Sequence, residues 1–388
     1  MKPTILKKIL IIIFCLYLTE VSVSSAETKP YRIGASVSLD GKYSEPSTMI
    51  LGGYKLWESQ VNQRGGLLGR PVQLVLYNDK SDEKLVRRLY EKLIKEDKVD
   101  LVFSPYGTPL TLAASEISER HGYVMLASGA SGEKIWKRGY KNVFGMYATA
   151  DRYFIGLLDL MARNDLKSVA VFYENSSFNI DIAKGIESWA KQFGLKVALS
   201  KGYESGKTDL PGLLSEARVV KPDGIMLSAY PEDGYALLRF MDQSKYRPKV
   251  IGITIAPIHP DFYNKAGTIS EGVFGPSQWE PDERIPFPGT KKFISDYKSF
   301  TDRIPSYHAG SAYASCQIIE KAIINNNSLD HKKIRDFISS LDTVTVIGRF
   351  KVDHTGKQIG HNPILIQWQN GEKHIVYPTK MQTAPPIF

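Results

Sequence analysis

Two doubly wound α/β lobes built from one chain are predicted, on three observations. Residues 31 to 77 read as a strand, a helix and a second strand, with the turn Gly65-Gly66-Leu67-Leu68-Gly69-Arg70-Pro71 between the last two. β-Rich runs then alternate with helical periodicity through two similar series. A mixed segment follows, which implies that the chain crosses between the lobes more than once.

In order, Tyr31 to Val37 suits a strand, Thr48 to Val61 a helix and Val72 to Tyr77 a short strand. Ser81 to Asp97 carries Leu85, Val86, Leu89, Leu93 and Ile94 at helical spacing, with Ser81 or Asp82 available as the cap. Val99 to Phe103, Leu110 to Arg120 and Tyr123 to Ala127 complete the first lobe as strand, helix and strand. After Asn142 to Tyr147 the second series has helices at Asp151 to Arg163, Ile180 to Phe193, Asp209 to Val219 and Glu232 to Gln243. Its strands are Ser168 to Tyr173, Lys196 to Leu199, Gly224 to Ser228 and Val250 to Ile253. Glu280 to Pro288, rich in proline and acids, reads as a connection. Helices are then expected near Thr290 to Phe300, Tyr307 to Asn325 and His331 to Leu341, before strand-like runs such as Ile364 to Trp368.

The first 26 residues have the grammar of an export signal. Lys2, Lys7 and Lys8 precede the apolar stretch Ile9 to Leu18, and Ser24-Ser25-Ala26 offers small residues for cleavage before Glu27. The stretch is about half of the ~20 residues a spanning helix needs. Phe14 is too large for the position before a lipidated cysteine, so Cys15 is not read as a lipid anchor. A soluble protein exported to the periplasm is expected. Without its leader it keeps one cysteine, Cys316, so no internal disulfide can form and stability must come from burial.

The formal net charge of +9 falls to +7 without the leader's three lysines and Glu20. Lys and Arg are dispersed among Asp and Glu, with no basic run interleaved with aromatics, so nucleic acid is not an expected partner. The seven histidines lack metal-site spacing, and one cysteine cannot build a Cys-rich site, so no metal is expected. No Gly-x-Ser-x-Gly elbow and no Gly-x-x-x-x-Gly-Lys-Ser/Thr loop occurs, so no catalytic residue and no cofactor are assigned. Gly65, Gly66 and Gly69 follow a helix and precede a strand, the order of a helix stop and turn rather than of a phosphate cradle.

Strand ends are more informative, because ligands of open α/β sheets bind beyond the carboxyl ends of strands. After Val99 to Phe103, Thr108-Pro109 has the pattern of an N-cap followed by proline at the first helical position. Thr108 either caps its own helix or, with the free N–H groups there, receives a carboxylate. Ala127-Ser128-Gly129-Ala130-Ser131-Gly132 is a second small, polar loop of this kind. In the second series Tyr173 to Phe178 and Ala229 to Gly234 follow strands, and Glu232 and Asp233 there complement a helix dipole or supply an acid to the cleft.

These residues resemble the leucine/isoleucine/valine-binding family, the type I solute-binding proteins of ABC importers. The resemblance runs from about Arg32 to the C-terminal strands. It is carried by Leu39-Asp40-Gly41, Asn62 to Pro71, Tyr77-Asn78-Asp79-Lys80-Ser81-Asp82, Thr108 to Ser115, Ala127 to Ser131 and Tyr230-Pro231-Glu232. It implies a hinge of three crossovers, near Gly145 to Ala148, Gln278 to Glu280 and Val346 to Gly348. The lobes would then be residues 27–147 with 279–346, and 148–278 with 347–388. By position, Thr108 and Ser131 match hydroxyls that hold an amino acid's carboxylate, Gly129 the carbonyl that accepts from its ammonium, and Glu232 the acid that pairs with that ammonium. Phe178 falls where the family often has tyrosine, and Tyr230 precedes Glu232. Asp40 stands where serine is common, and the family's disulfide is absent. Tyr43, Tyr106, Tyr147, Phe178 and Tyr230 either line a pocket for an aromatic or larger acid or belong to the hinge and core.

The resemblance implies a monomeric, non-catalytic binding protein that closes on a small carboxylated ligand, an amino acid or an aromatic or aliphatic acid, and delivers it to an ABC permease. A periplasmic sensor feeding a receptor uses the same binding physics, and an exported hydrolase is the enzymatic alternative.

Overall fold

The computed structural model describes residues 29–388 except 205, 207, 208, 283 and 286. The expected leader, 1–26, lies outside the described residues. In chain order the first series is β1 (Tyr31–Val37), α1 (Ser44–Gln63), β2 (Val72–Asn78), α2 (Glu83–Lys95), β3 (Leu101–Val102), α3 (Thr108–Arg120), β4 (Met125–Ala127) and β5 (Val143–Gly145). The second is α4 (Ile155–Arg163), β6 (Ser168–Glu174), α5 (Ser177–Gln192), β7 (Lys196–Tyr203), α6 (Leu210–Val220), β8 (Gly224–Ser228), α7 (Pro231–Ser244), β9 (Val250–Ile253), α8 (Phe262–Ala266) and β10 (Val273–Ser277). The return segment is α9 (Thr290–Thr301), α10 (Tyr307–Asn326), α11 (His331–Ser340), β11 (Asp342–Thr345), β12 (Gly348–Lys351), β13 (Ile364–Gln369) and β14 (Glu372–Tyr377).

Two main sheets result, one parallel and one mixed. One has the order β2-β1-β3, with the parallel pair β4-β5 tied to it through a Tyr106–Gly129 bridge. The other runs β14-β13-β10-β9-β8-β6-β7, parallel from β10 to β7 and antiparallel at β13 and β14. Each reverses its strand order once, between β1 and β3 and between β6 and β8, and such switch points open crevices at the carboxyl ends of strands.

The return helix α10 packs on α1 of the first half. A Cβ on Gly53 of α1 would lie 2.4 Å from the Ala309 carbonyl of α10, so glycine permits that close crossing. Trp57 Nε1 donates to Glu320 Oε2 at 2.8 Å across the same interface. The Gly65–Pro71 segment is a helix stop and turn: Gly66 N–H returns to the Val61 carbonyl at 2.8 Å with φ +80°, and a Cβ there would lie 1.9 Å from the Arg70 carbonyl. Gly66→Ala is therefore expected to lower unfolding stability by more than about 1 kcal/mol, read from urea titration.

Some elements depart from expectation. Gly275 and Pro276 obscured β10, yet its pairing with β9 involves Val273 and Phe274 only, so the proline ring sits past the point where a donor to β9 is needed. The five-residue α8 was too short for periodicity to register. Helix α3 begins at Thr108 with Gly107 as its cap at φ +87°, so Thr108 does not cap it.

Gln278 ties two of the expected crossovers together: its Oε1 accepts from Ala148 N at 2.9 Å. The third crossover differs from expectation. Val346 and Ile347 close the β11–β12 hairpin, and the Gly356 carbonyl still accepts from Gly145 N at 2.8 Å. The chain therefore passes to the large sheet between Gly360 and Ile364. There His361 Nε2 also lies 3.3 Å from Gln278 Oε1.

Candidate functional site

The loops after β3 and β4 face those after β6, β8 and β9 across one enclosed cavity. On the first sheet's side stand Tyr106, Gly107 and Thr108 after β3, Gly129 and Ser131 after β4, Tyr147 after β5, and Tyr307 at the start of α10. On the other stand Tyr153, Phe178, Tyr230 and Ile255.

Thr108 is buried, and its Oγ1 accepts from Gly132 N–H at 3.1 Å, so its hydroxyl hydrogen remains available to donate. The Gly129 carbonyl accepts from Gly107 N–H at 3.0 Å, which uses one of its two lone pairs. Ser131 Oγ lies 3.0 Å from the Tyr153 hydroxyl, fixing a donor pair where the two sides meet.

Aromatic rings supply the walls. Tyr153 meets Phe178 edge-on at 5.4 Å, Tyr147 meets Tyr307 at 5.2 Å, and Phe178 and Tyr230 lie 6.1 Å apart. The Tyr147 and Tyr230 hydroxyls are buried and make no well-formed hydrogen bond among the described residues. Burial pushes the Tyr153 phenol up to about 12 and those of Tyr106, Tyr147, Tyr230 and Tyr307 well above their ordinary value, so all remain neutral donors at neutral pH. The rings fill the space to about 10 Å³, room for about one water, so a ligand of amino-acid size requires the two sides to part.

Thr108, Gly129, Ser131, Phe178, Tyr230, Tyr106 and Tyr147, all singled out in the sequence, meet in this cavity. Tyr43 does not line it but stands one layer behind, 6.1 Å from Tyr106 and 4.7 Å from Tyr230. Glu232 is exposed on the first turn of α7 and lies outside the cavity, because the residues after Tyr230 turn away along the helix surface. Among the described residues no Asp, Glu, Lys, Arg or His lines the cavity, and no group of acids, histidines or cysteines could hold a metal ion.

Tyr153, Ile255 and Tyr307 were not singled out in the sequence. Ile255 follows β9 and Tyr307 opens α10, so the strand-end and helix-start criteria that found Thr108 could have found both. A larger cavity of about 450 Å³, lined by Arg152, Trp189, Trp279 and Tyr377 among others, shares none of these strand-end residues.

Two doubly wound halves whose strand ends meet at a shared cavity define a two-lobed binding protein. Residues 30–373 match the sequence profile of the periplasmic binding protein family, and the chain belongs to that family. It is 24% identical over 350 residues to Leu/Ile/Val-binding protein homolog 7 of Brucella suis biovar 1 (strain 1330), covering 84% of this chain and 86% of the relative. It is 26% identical over 380 residues to homolog 8 of Brucella abortus (strain 2308), covering 92% and 91%.

Solved structures share the fold. The leucine binding protein LivK of Thermotoga maritima MSB8 superposes with a TM-score of 0.80 at 19% identity, covering 89% of this chain and 97% of that one. The branched-chain amino acid transporter substrate binding protein LivJ of Streptococcus pneumoniae, in complex with isoleucine, gives 0.81 at 18% identity, covering 90% and 100%. An ABC transporter solute binding protein of R. palustris, in complex with benzoate, gives 0.79 at 16% identity, covering 92% and 98%.

Proposed function

We propose that this chain is an exported solute-binding protein that closes its two halves on a small organic acid and presents the closed form to an ABC permease. The observation that carries this reading is the cavity where the strand ends of the two sheets meet. It is furnished with hydrogen-bond donors and aromatic rings and has no charged side chain in its lining. The start of α3, the Thr108 and Ser131 hydroxyls and the neutral phenols suit a carboxylate.

An amino acid's ammonium is less well served. Burying it without a carboxylate partner is costly, and Glu232 stands in solvent. The six rings of the lining stack on a flat ring as readily as on an aliphatic chain. An aromatic monocarboxylate is therefore the favoured ligand class, and the fold accommodates benzoate in one structural neighbour and isoleucine in another.

Thermal shift followed by calorimetry with benzoate, hydroxybenzoates, leucine and isoleucine tests the reading. A ligand at 100 times its Kd adds ~2.7 kcal/mol to the native state, so the aromatic acids are expected to raise the melting temperature and the aliphatic amino acids to leave it nearly unchanged. Stabilisation by leucine or isoleucine alone overturns the ligand class. No response to any small acid overturns the function.

A further inference from the structure

Three residues at the start of α1, Lys42, Tyr43 and Glu45, reach onto the opposite half. Lys42 Nζ lies 2.8 Å from Glu174 Oε1 at the end of β6. Glu174 is 3% exposed, and its other oxygen accepts from Asn179 Nδ2 at 3.2 Å; Asn179 is in turn held by Ser228 Oγ at the end of β8. The same ammonium stands 5.1 Å from the Tyr43 ring centre and 5.4 Å from that of Tyr230. Tyr43 meets Tyr230 edge-on at 4.7 Å. Glu45 Oε2 pairs with Lys265 Nζ of α8 at 2.8 Å, and its Oε1 lies 3.4 Å from His259 Nε2.

None of these three residues lines the cavity, yet Tyr43 backs both Tyr106 and Tyr230, which do. We infer that Lys42, Tyr43 and Glu45 are a clasp that positions the two halves in the closed form and sets how long a captured ligand stays, without touching it. The reasoning is thermodynamic. Glu174 is buried with the halves together, and there the Lys42 ammonium and the Asn179 amide compensate it. When the halves part, water replaces Lys42. Removing Lys42 therefore raises the free energy of the closed form and leaves the open form nearly unchanged, which shifts the closure equilibrium. The inference rests on reading the cavity as the ligand site.

The test uses the full mature protein with benzoate as probe. Lys42→Met is expected to weaken benzoate binding about tenfold, a value discounted because Lys42 is one-third exposed and water screens the pair. The loss is expected in the dissociation rate. Lys42→Arg restores affinity to within about threefold, and Glu174→Gln, which keeps the amide contact to Asn179, reproduces the Lys42→Met loss. Wild-type affinity falls as salt is raised, and that of Lys42→Met falls less.

Small-angle scattering reads the clasp without any ligand: ligand-free Lys42→Met is expected to have a larger radius of gyration than the wild type. If no small acid binds, the proposed function fails while scattering still judges the clasp, and superimposable curves then overturn it. If benzoate binds, affinities and dissociation rates within twofold across wild type, Lys42→Met and Glu174→Gln overturn it.

Discussion

Tyr230→Ala is expected to weaken capture of an aromatic acid by about 100-fold or more, the range of an aromatic anchor at a buried binding site. Tyr230 sits at the junction of β8 and α7, is 4% exposed, and contributes the large-sheet half's wall opposite Tyr106 and Thr108. Truncation removes that wall, a neutral phenol donor, and the ring on which Tyr43 rests. Tyr230→Phe separates these losses, because it keeps the ring and deletes only the hydroxyl; a reduction of about tenfold is expected if that hydroxyl meets the ligand. Calorimetry gives both values, and stopped-flow dissociation shows whether the Ala variant releases its ligand faster. Near wild-type affinity in Tyr230→Ala would mean that this ring does not face the ligand.

Thr108→Val is expected to cost about 30-fold in affinity, equivalent to ~2 kcal/mol for a lost hydrogen bond to a charged group. Valine preserves the branched shape at a position 1% exposed and removes both the donor toward the ligand and the acceptor of Gly132 N–H. Thr111→Val serves as the control. Thr111 is equally buried one turn along the same helix, with its hydroxyl spent on the Pro105 carbonyl at 3.2 Å, and it does not line the cavity. Its loss is expected to lower stability in urea while leaving affinity within about twofold. Equal affinity losses in both variants would assign Thr108 to the scaffold.

Much of the fold is legible in the sequence where hydrophobic runs are regular. β8 and β9 begin and end where the runs from Gly224 and Val250 begin and end, because strands buried on both faces need nearly continuous apolar character. β10 is not legible, because its pairing partner decides whether Pro276 can be tolerated, and pairing is a tertiary fact. The third crossover is misplaced for a related reason. Val346 to Gly348 looks like a break between elements, and only the contact of Gly356 with Gly145 shows that the chain has not yet left the first half.

The site divides in the same way. Residues immediately beyond strands, such as Thr108, Ser131, Phe178 and Tyr230, converge because sheet topology alone points strand ends at the crevice. Tyr153 converges through the hinge geometry, which no local pattern records, whereas Tyr307 opens α10 and carries the helix-start signal without the return of that helix to the cavity being readable. Glu232 follows a cavity residue by only two positions, yet helix rotation turns it to solvent.

Whether the strand-end cavity between the two halves takes the acid is decided by a crystal structure of the protein grown with benzoate. The expected result is a carboxylate within hydrogen-bond distance of Thr108 Oγ1 and Ser131 Oγ, with the aromatic ring between Phe178 and Tyr230 and Lys42 still on Glu174. Benzoate seated instead in the larger cavity beside Trp279 and Tyr377, with the strand-end cavity still filled by its own rings, would contradict it.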